Sequence, residues 1–471
     1  RLKHKLSPDT WAQISDAFLE TDIVSEMKDQ ELCITLWSMA KLEYCPDARL
    51  LEHFERRALS SVDSFSVLDL TTLVHAYATL NLRPSEELMG RMERAVFRSL
   101  GRCRARQFAN IMWAWAKLGY EPQAETLGEL TEEARRALPH FNTQNLSNII
   151  WAYASLGYHP GDAFLEAFEA ATMEHLSHAT PQAHANIFWS FAHLGHHPSC
   201  ELLDMSDEVM TVKIGMYSSF NIAHIIWAYA KLSHVPDRPL LETCEAALGE
   251  RLGDFNSQDF SNTLWGLRKM EYKLDGHLLK RIEEAFVRTV NEATDQDIAL
   301  VMWSYARNGH CLSQDTVDTL VAAATERLEK HFDLKSFTHI LFATGRMGRA
   351  CDEFYRQFEG RTLEHLGQGE RAKGFDLDTG CKIMYCCSLH GLIPSDAVIE
   401  ACEAAIGGGI EDLDSGRLLG VLKSYKDLGL HMDDRLNRAI KARLEEQGVS
   451  ELLAAEVGGA GERLGSLENF D

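Results

Sequence analysis

The side chains best suited to chemistry are few. His193, His196, His197 and Cys200 are close enough in sequence to suggest a metal set, and thiols gather at Cys381, Cys386, Cys387 and Cys402. A structural zinc site wants four such ligands in short, paired spacings. The first group straddles a helix end and reads as drift within a repeat. The second has no paired Cys-x-x-Cys spacing and reads as core thiols, since free cysteine packs as a small hydrophobe. There is no Walker loop, HExxH, GxSxG or kinase signature. The chain is therefore read as non-enzymatic, with no cofactor and no metal.

What recurs is hydrogen-bonding and cationic side chains at fixed intervals. Gln107, Asn145, Asn221, Asp259 and Asp297 are spaced by 38 residues or twice that, and Lys41, Lys117, Lys231, Lys269 and Arg307 by multiples of the same 38. The first row offers amide and carboxylate groups that donate and accept; the second offers positive charge.

The elements that hold these rows follow from tryptophan. Trp37, Trp113, Trp151, Trp189, Trp227, Trp265 and Trp303 are all 38 residues, or a multiple of 38, apart, and are seven of the nine tryptophans. The slot at 75 holds His75 and the slot at 341 holds Leu341. The register then slips by six residues and resumes at Tyr385 and Lys423. Pro46, Pro84, Pro122, Pro160, Pro198, Pro236 and Pro394 each lie nine residues after an anchor. Before three of them, Pro122, Pro160 and Pro198, stands a Leu-Gly, where a helix ends in a left-handed residue and cannot continue through proline. Each unit thus has a helix A around the anchor and a helix B after the proline, such as Asp162 to Leu176. Thr143, Ser219, Ser257 and Asp295, eight residues before the anchor, are expected as helix N-caps. Such pairs cannot bury their apolar faces alone, so they must stack. The fold expected is all-α: a right-handed-type α-solenoid of about eleven helix-turn-helix repeats over 26–445. An N-terminal cap occupies 1–25, an insertion lies near 367–374, and a flexible acidic tail covers 446–471.

Around the anchor, apolar residues fall at −5, −2, −1, +2 and +5, as in Leu146, Ile149, Ile150, Tyr153 and Leu156. This arc is the expected core, and the tryptophans are expected to pack with it. Positions −6, −3, +1 and +4 form a second stripe, within about 80° on the wheel. It carries the variable polar row (−6), asparagines Asn110, Asn148, Asn186 and Asn262 (−3), small residues (+1) and the basic row (+4). Each row also suits plain helix electrostatics, acids and amides at the start and cations at the end. A groove along helix A and simple helix-end chemistry both remain open.

The segments NIMWAWAKLGYEP (110–122), NIIWAYASLGYHP (148–160) and NIFWSFAHLGHHP (186–198) resemble the octotricopeptide repeat family and the related repeats of FAST kinase-like and RAP organellar proteins. That resemblance implies paired-helix solenoids of mitochondria or chloroplasts that bind RNA, about one nucleotide per unit, through polar residues early in helix A. It makes Gln107, Asn145, Asn221, Asp259 and Asp297 candidates for base contact. It makes Lys41, Lys117, Lys231, Lys269 and Arg307 candidates for phosphate contact. Two features depart from the family. The tryptophan usual after the proline cluster is missing, since Gly161, Asp162 and Ala163 follow Pro160, and no C-terminal RAP module is evident.

The chain has 471 residues and a net charge of −23, from 70 acidic and 47 basic residues, which works against non-specific nucleic-acid binding. Any RNA must find a local basic track. Arg91, Arg94, Arg98, Arg102, Arg104 and Arg106, with only Glu93 opposing, form the densest basic stretch. Arg98, Arg102 and Arg104 join the phosphate candidates, with a solvated helix face as the other reading. Residues 395–471 carry 16 acids and 8 bases and make a poor RNA surface. The expected partners are organellar RNA, ribosomal RNA included, and other proteins of a ribosome or ribonucleoprotein, with no membrane and no DNA. The rival is a protein-only scaffold of a large assembly. The eleven cysteines form no disulfide-type framework, which suits a reducing compartment. The first residue is Arg1, which fits either a processed targeting segment or a trimmed chain. The location expected is organellar, with the mitochondrion favoured over the chloroplast.

Overall fold

The computed structural model describes residues 7–449, except 22, 329, 350 and 368–374. The described residues are helices joined by short turns, with no strand among them. The chain divides into two compact units at Ala247/Leu248.

In the first unit, Pro8–Glu20 and Ile23–Glu26 precede the repeats. The A helices are Asp29–Lys41, Val67–Leu80, Ala105–Lys117, Thr143–Ser155, Pro181–Leu194 and Ser219–Lys231. Each packs along its length against the next A helix. The B helices Ala48–Ser61, Glu86–Phe97, Ala124–Ala137, Asp162–His175 and Cys200–Lys213 form the second layer. In the second unit the A helices are Ser257–Lys269, Asp295–Arg307, Leu334–Arg346, Leu377–His390 and Ser415–Leu428. Their B helices are Gly276–Thr289, Gln314–Leu328, Asp352–Gly367, Asp396–Gly408 and Asp434–Glu446. Each unit is thus a two-layered α-solenoid stack of helix pairs.

Every A helix is followed by one residue in the left-handed region. Most are glycine, as at Gly119, Gly157, Gly195, Gly309, Gly348, Gly391 and Gly429, while Glu43, Asn81, Ser233 and Glu271 take the same conformation without it. These residues lie six after the anchor and so measure the register. The intervals from Gly309 to Gly348 and from Gly348 to Gly391 are 39 and 43 residues. The six-residue slip is therefore divided. One residue enters before the Leu334–Arg346 helix, which makes Phe342 and not Leu341 its anchor, and five enter before Tyr385. Of the insertion expected near 367–374, all but Gly367 lies outside the described residues, as does the tail from 450 onward.

The expected core arc is the core: Leu146, Ile149, Ile150 and Tyr153 are fully buried, and Leu156 partly so. The helix starts fall one residue earlier than expected. Asn142, Ser218, Asn256 and Thr294 are the N-caps, and Thr143, Ser219, Ser257 and Asp295 are the first helical residues. The second layer is fastened by a recurring glutamate. Glu55, Glu93 and Glu169 each accept the backbone N–H thirty residues on, at Ser85 (3.1 Å), Gln123 (2.8 Å) and Ser199 (2.8 Å). Glu283 and Glu403 do the same for Ser313 and Asp433, both at 2.9 Å. A carboxylate at a helix N-terminus satisfies an orphan donor and meets the positive end of the helix dipole.

Candidate nucleic-acid interface

An A helix inside the stack has A neighbours on two sides and its B layer on a third. Only one stripe is left to water. Burial identifies it as positions −7, −3, 0 and +4, which lie within about 60° on the helical wheel. The stripe drawn from sequence was centred about 50° away. Its −6 and +1 rows point toward a neighbouring helix, and its −3 and +4 rows lie on the true face.

The shift relocates the base-contact candidates. Asn145, Asn221, Asp259 and Asp297 are buried, and Gln107 is partly so. All five are the third residue of their helix and bond back to the cap. The Gln107 Oε1 accepts the Arg104 N–H at 2.8 Å, Asn145 Oδ1 that of Asn142 at 3.4 Å and Asn221 Oδ1 that of Ser218 at 3.3 Å. The carboxylates of Asp259 and Asp297 accept from Asn256 (3.2 Å) and Thr294 (2.9 Å), and Asp297 also takes the Ser261 hydroxyl at 2.6 Å. At Asn145, Asn221, Asp259 and Asp297 this is the capping box, in which two orphan donors are satisfied reciprocally, while at Gln107 only the return bond forms, since the Arg104 side chain cannot accept. Burial pushes the Asp259 carboxyl up to about 6. Asn145→Ala is expected to cost about 1 kcal/mol of stability, and Asp297→Ala about 2 kcal/mol because it removes the charged Ser261–Asp297 bond along with the cap. Denaturant melts measure both. A changed base preference at unchanged stability would return the −6 row to a reading role.

The tryptophans, expected in the core, lie instead on the open stripe. Trp37 is 38% exposed, Trp113, Trp151, Trp189, Trp227 and Trp265 are half-buried, and Trp303 alone is closed off at 4%. The basic row stands beside them: the Lys41 and Lys231 ammonium groups are 5.8 Å from the Trp37 and Trp227 ring centres, and the Arg307 guanidinium is 5.3 Å from that of Trp303. Lys117 and Lys269 hold the same slot and are exposed. Rings also meet from helix to helix. His75 lies 5.1 Å from Trp113, and His193 lies between Trp189 (3.7 Å) and Trp227 (4.8 Å). Phe220 lies 3.8 Å from His224, the two rings tilted by 39°. Burial holds His193 below its usual range and lowers His224 to about 4, so these rings are neutral at pH 7.

The row that sequence reading missed is −7. Gln30, Gln144, Gln182, Gln258 and Gln296 are exposed, with Arg106 and Lys335 in the same slot. The signal was present as glutamines at multiples of 38.

From residue 30 to 346, no aspartate or glutamate occupies any −7, −3, 0 or +4 position. Eight of these positions are lysine or arginine: Lys41, Arg106, Lys117 and Lys231 in the first unit, Lys269, Arg307, Lys335 and Arg346 in the second. In a chain of net charge −23 this separation sets the face apart. The pattern ends at Asp378 and Asp427 in the last two A helices.

The arginine cluster is divided by its surroundings. Arg98 is ion-paired to Asp63 at 2.8 Å, and Arg91 binds the same carboxylate, holding it below its ordinary range. Arg102 and Arg104 are exposed in the turn before the Ala105–Lys117 helix, and Arg106 belongs to the open stripe. The suspected metal group is also dispersed, with His196 paired to Glu169 at 3.2 Å and His193 against the Trp189 ring. Cys381, Cys386, Cys387 and Cys402 are buried free thiols. No described helix is long and apolar enough to cross a membrane.

Residues 146–204 match the family model of FAST kinase-like protein, subdomain 1. That segment holds Trp151 and Trp189 and is related to the repeats of those proteins. No curated protein matches the chain. Among solved structures, one described as a homology model of the full-length AP-3 complex in an intermediate open conformation is similar at 10% identity and a TM-score of 0.31. It covers 94% of this chain and 89% of that one.

Proposed function

We propose that the protein is a non-enzymatic organellar RNA-binding solenoid, of the mitochondrion rather than the chloroplast. It binds single-stranded or ribosomal RNA along the open stripe of its A helices, as a component of a ribosome or another ribonucleoprotein. The observation that carries this is the acid-free face of tryptophan, amide and cation on a strongly acidic chain. Single-stranded RNA is held by aromatic platforms for its bases, cations for its phosphates and hydrogen bonds to base edges. The rows at 0, +4, and −7 with −3 supply these in turn. The relation of residues 146–204 to FAST kinase-like repeats supports the same reading. Gln144 with Asn148 and Gln182 with Asn186 are the same pair on adjacent helices, so the nucleotides they meet are read alike.

Replacing Lys117, Lys231 and Lys269 together with glutamine is expected to weaken binding to all RNA sequences equally. The slope of log affinity against log salt should flatten by about 0.7 per lost contact, roughly 2 in all. An unchanged slope would remove the +4 row from the RNA path. The protein-scaffold reading rests on the first two A helices, where Ile34, Trp37 and Leu68 are exposed apolar residues. Crosslinking in cells separates the two, since a scaffold would yield protein partners and no RNA.

A further inference from the structure

In the second unit the open stripe closes over a small cavity. Its walls are Trp303, Thr338, His339, Phe342, Lys382, Tyr385 and Cys386, drawn from three successive A helices. The free volume is about 10 Å³, the room of one water-sized group. Three walls are aromatic anchors of the stripe: Phe342 and Tyr385 stand 6.1 Å apart, and Trp303 is 6.4 Å from the imidazole of His339.

The polar groups of this cavity are unusual for so apolar a place. The Nε2 of His339 is buried and has no hydrogen-bond partner, which a native interior rarely tolerates. Lys382 is buried too, its ammonium 2.6 Å from Asp378, which Arg417 approaches at 3.5 Å from the other side. Thr338 and Cys386 are spoken for: the Thr338 hydroxyl donates to Leu334 O at 2.6 Å, and the Cys386 thiol to Thr338 O at 3.6 Å. Burial and the Lys382 charge lower His339 to about 3, so it faces the cavity as a neutral imidazole.

We propose that this cavity receives the O4 carbonyl oxygen of uracil or the O6 carbonyl oxygen of guanine, the positions that carry an amino group in cytosine and adenine, with the base ring lying across the Phe342–Tyr385 rim. The proposal rests on the RNA-binding reading above. One oxygen fits the volume, and as an acceptor it suits the His339 N–H and the Lys382 ammonium. The exocyclic amino group of adenine or cytosine would instead bring a donor to a lysine, which can only donate. A phosphate oxygen shares the acceptor chemistry but would bring its charge into three aromatic walls, so the base is the occupant that the lining favours.

The test is a binding selection from randomised single-stranded RNA with the full chain, alongside His339→Phe and His339→Gln, with helix content checked by circular dichroism. Wild type should show one position at which uracil or guanine is favoured over cytosine and adenine by about tenfold, the worth of one or two hydrogen bonds. His339→Phe should lose that preference and keep those at other positions, and His339→Gln, which retains an N–H donor, should keep it. Competition with inorganic phosphate should leave the preference intact. Selected RNAs without a keto position, a preference that survives His339→Phe, or its loss to phosphate would each overturn the proposal. Failure of every variant, wild type included, to select RNA would remove the RNA-binding reading itself.

Discussion

Trp115→Ala is expected to cost about 3–5 kcal/mol of stability, while Trp113→Ala, two residues away, costs about 1 kcal/mol and lowers RNA affinity about tenfold. Both tryptophans belong to the Ala105–Lys117 helix, but two residues turn the side chain by about 200°. Trp115 is fully buried, 6.1 Å from Tyr120, in the slot that Tyr153, Tyr229 and Tyr305 fill in other repeats. Its truncation removes a large buried apolar surface and leaves a void between layers. Trp113 is half-buried beside His75 and Lys117 on the open stripe, so alanine there mostly exposes what was already near water. A base stacked on an aromatic side chain is worth about 1–3 kcal/mol, the source of the affinity loss. Hydrogen exchange of the surrounding amides, with RNA titration at fixed salt, reads both effects. Loss of several kcal/mol in Trp113→Ala would put the anchor row back in the core. Unchanged RNA binding in that variant would take the row out of the RNA path.

This pair shows what sequence could and could not reveal. The 38-residue interval, the helix pairs and the apolar arc were legible because each depends on local rules, periodicity, proline and the left-handed glycine, that act within one repeat. The outward side of helix A was not. Tryptophan is the residue most readily assigned to a core, and here seven of nine hold the anchor slot on the outward stripe of their own A helix. Amides and acids at −6 have the composition of a ligand row, yet Asn145 and Asp297 hold helix starts. What distinguishes −6 from −7 is a 100° turn, and only the positions of neighbouring helices decide which side of that turn is wet. Gln144 and Gln182 carried the recurrence, but without a neighbour to define outside they were indistinguishable from solvated polar residues. The one-residue step before Phe342 was hidden for a similar reason: Leu341 and Phe342 are both apolar, and the left-handed Gly348 is what fixes the count.

One repeat departs from the others in its core, and the departure should make the first unit acid-sensitive. Position −5 is Leu32, Leu70, Phe108, Leu146 and Ile222 elsewhere in this unit, but His184 in the repeat of Trp189. Its partner slot in helix B, which holds Phe54, Met92, Leu130 and Phe168, becomes Ser206 in the same repeat. The two changes compensate each other. His184 is fully buried, with Nδ1 at 2.5 Å from the Tyr217 hydroxyl and Nε2 at 2.6 Å from Ser206 Oγ, which in turn meets the Tyr229 hydroxyl at 2.5 Å. Burial lowers the imidazole to about 3, far below its ordinary 6.5. Between those values the unfolded chain binds a proton that the folded one refuses. Stability from this group is therefore complete above about pH 6.5, and falls as the pH drops toward 3 by roughly 1.4 kcal/mol per unit. His184→Ala at pH 7 should cost about 3 kcal/mol, because it opens a cavity and strands the Tyr217 hydroxyl, while Ser206 keeps Tyr229. The double variant His184→Leu, Ser206→Phe restores the apolar pair of the other repeats. With Tyr217→Phe added, so that no buried hydroxyl is left without its imidazole partner, it should match wild type within about 1.5 kcal/mol at pH 7. Denaturant melts at pH 7 and pH 4.5 should then show a smaller acid loss than wild type, by about 2 kcal/mol or more. Equal acid losses in the two proteins would mean that His184 is not the group that titrates.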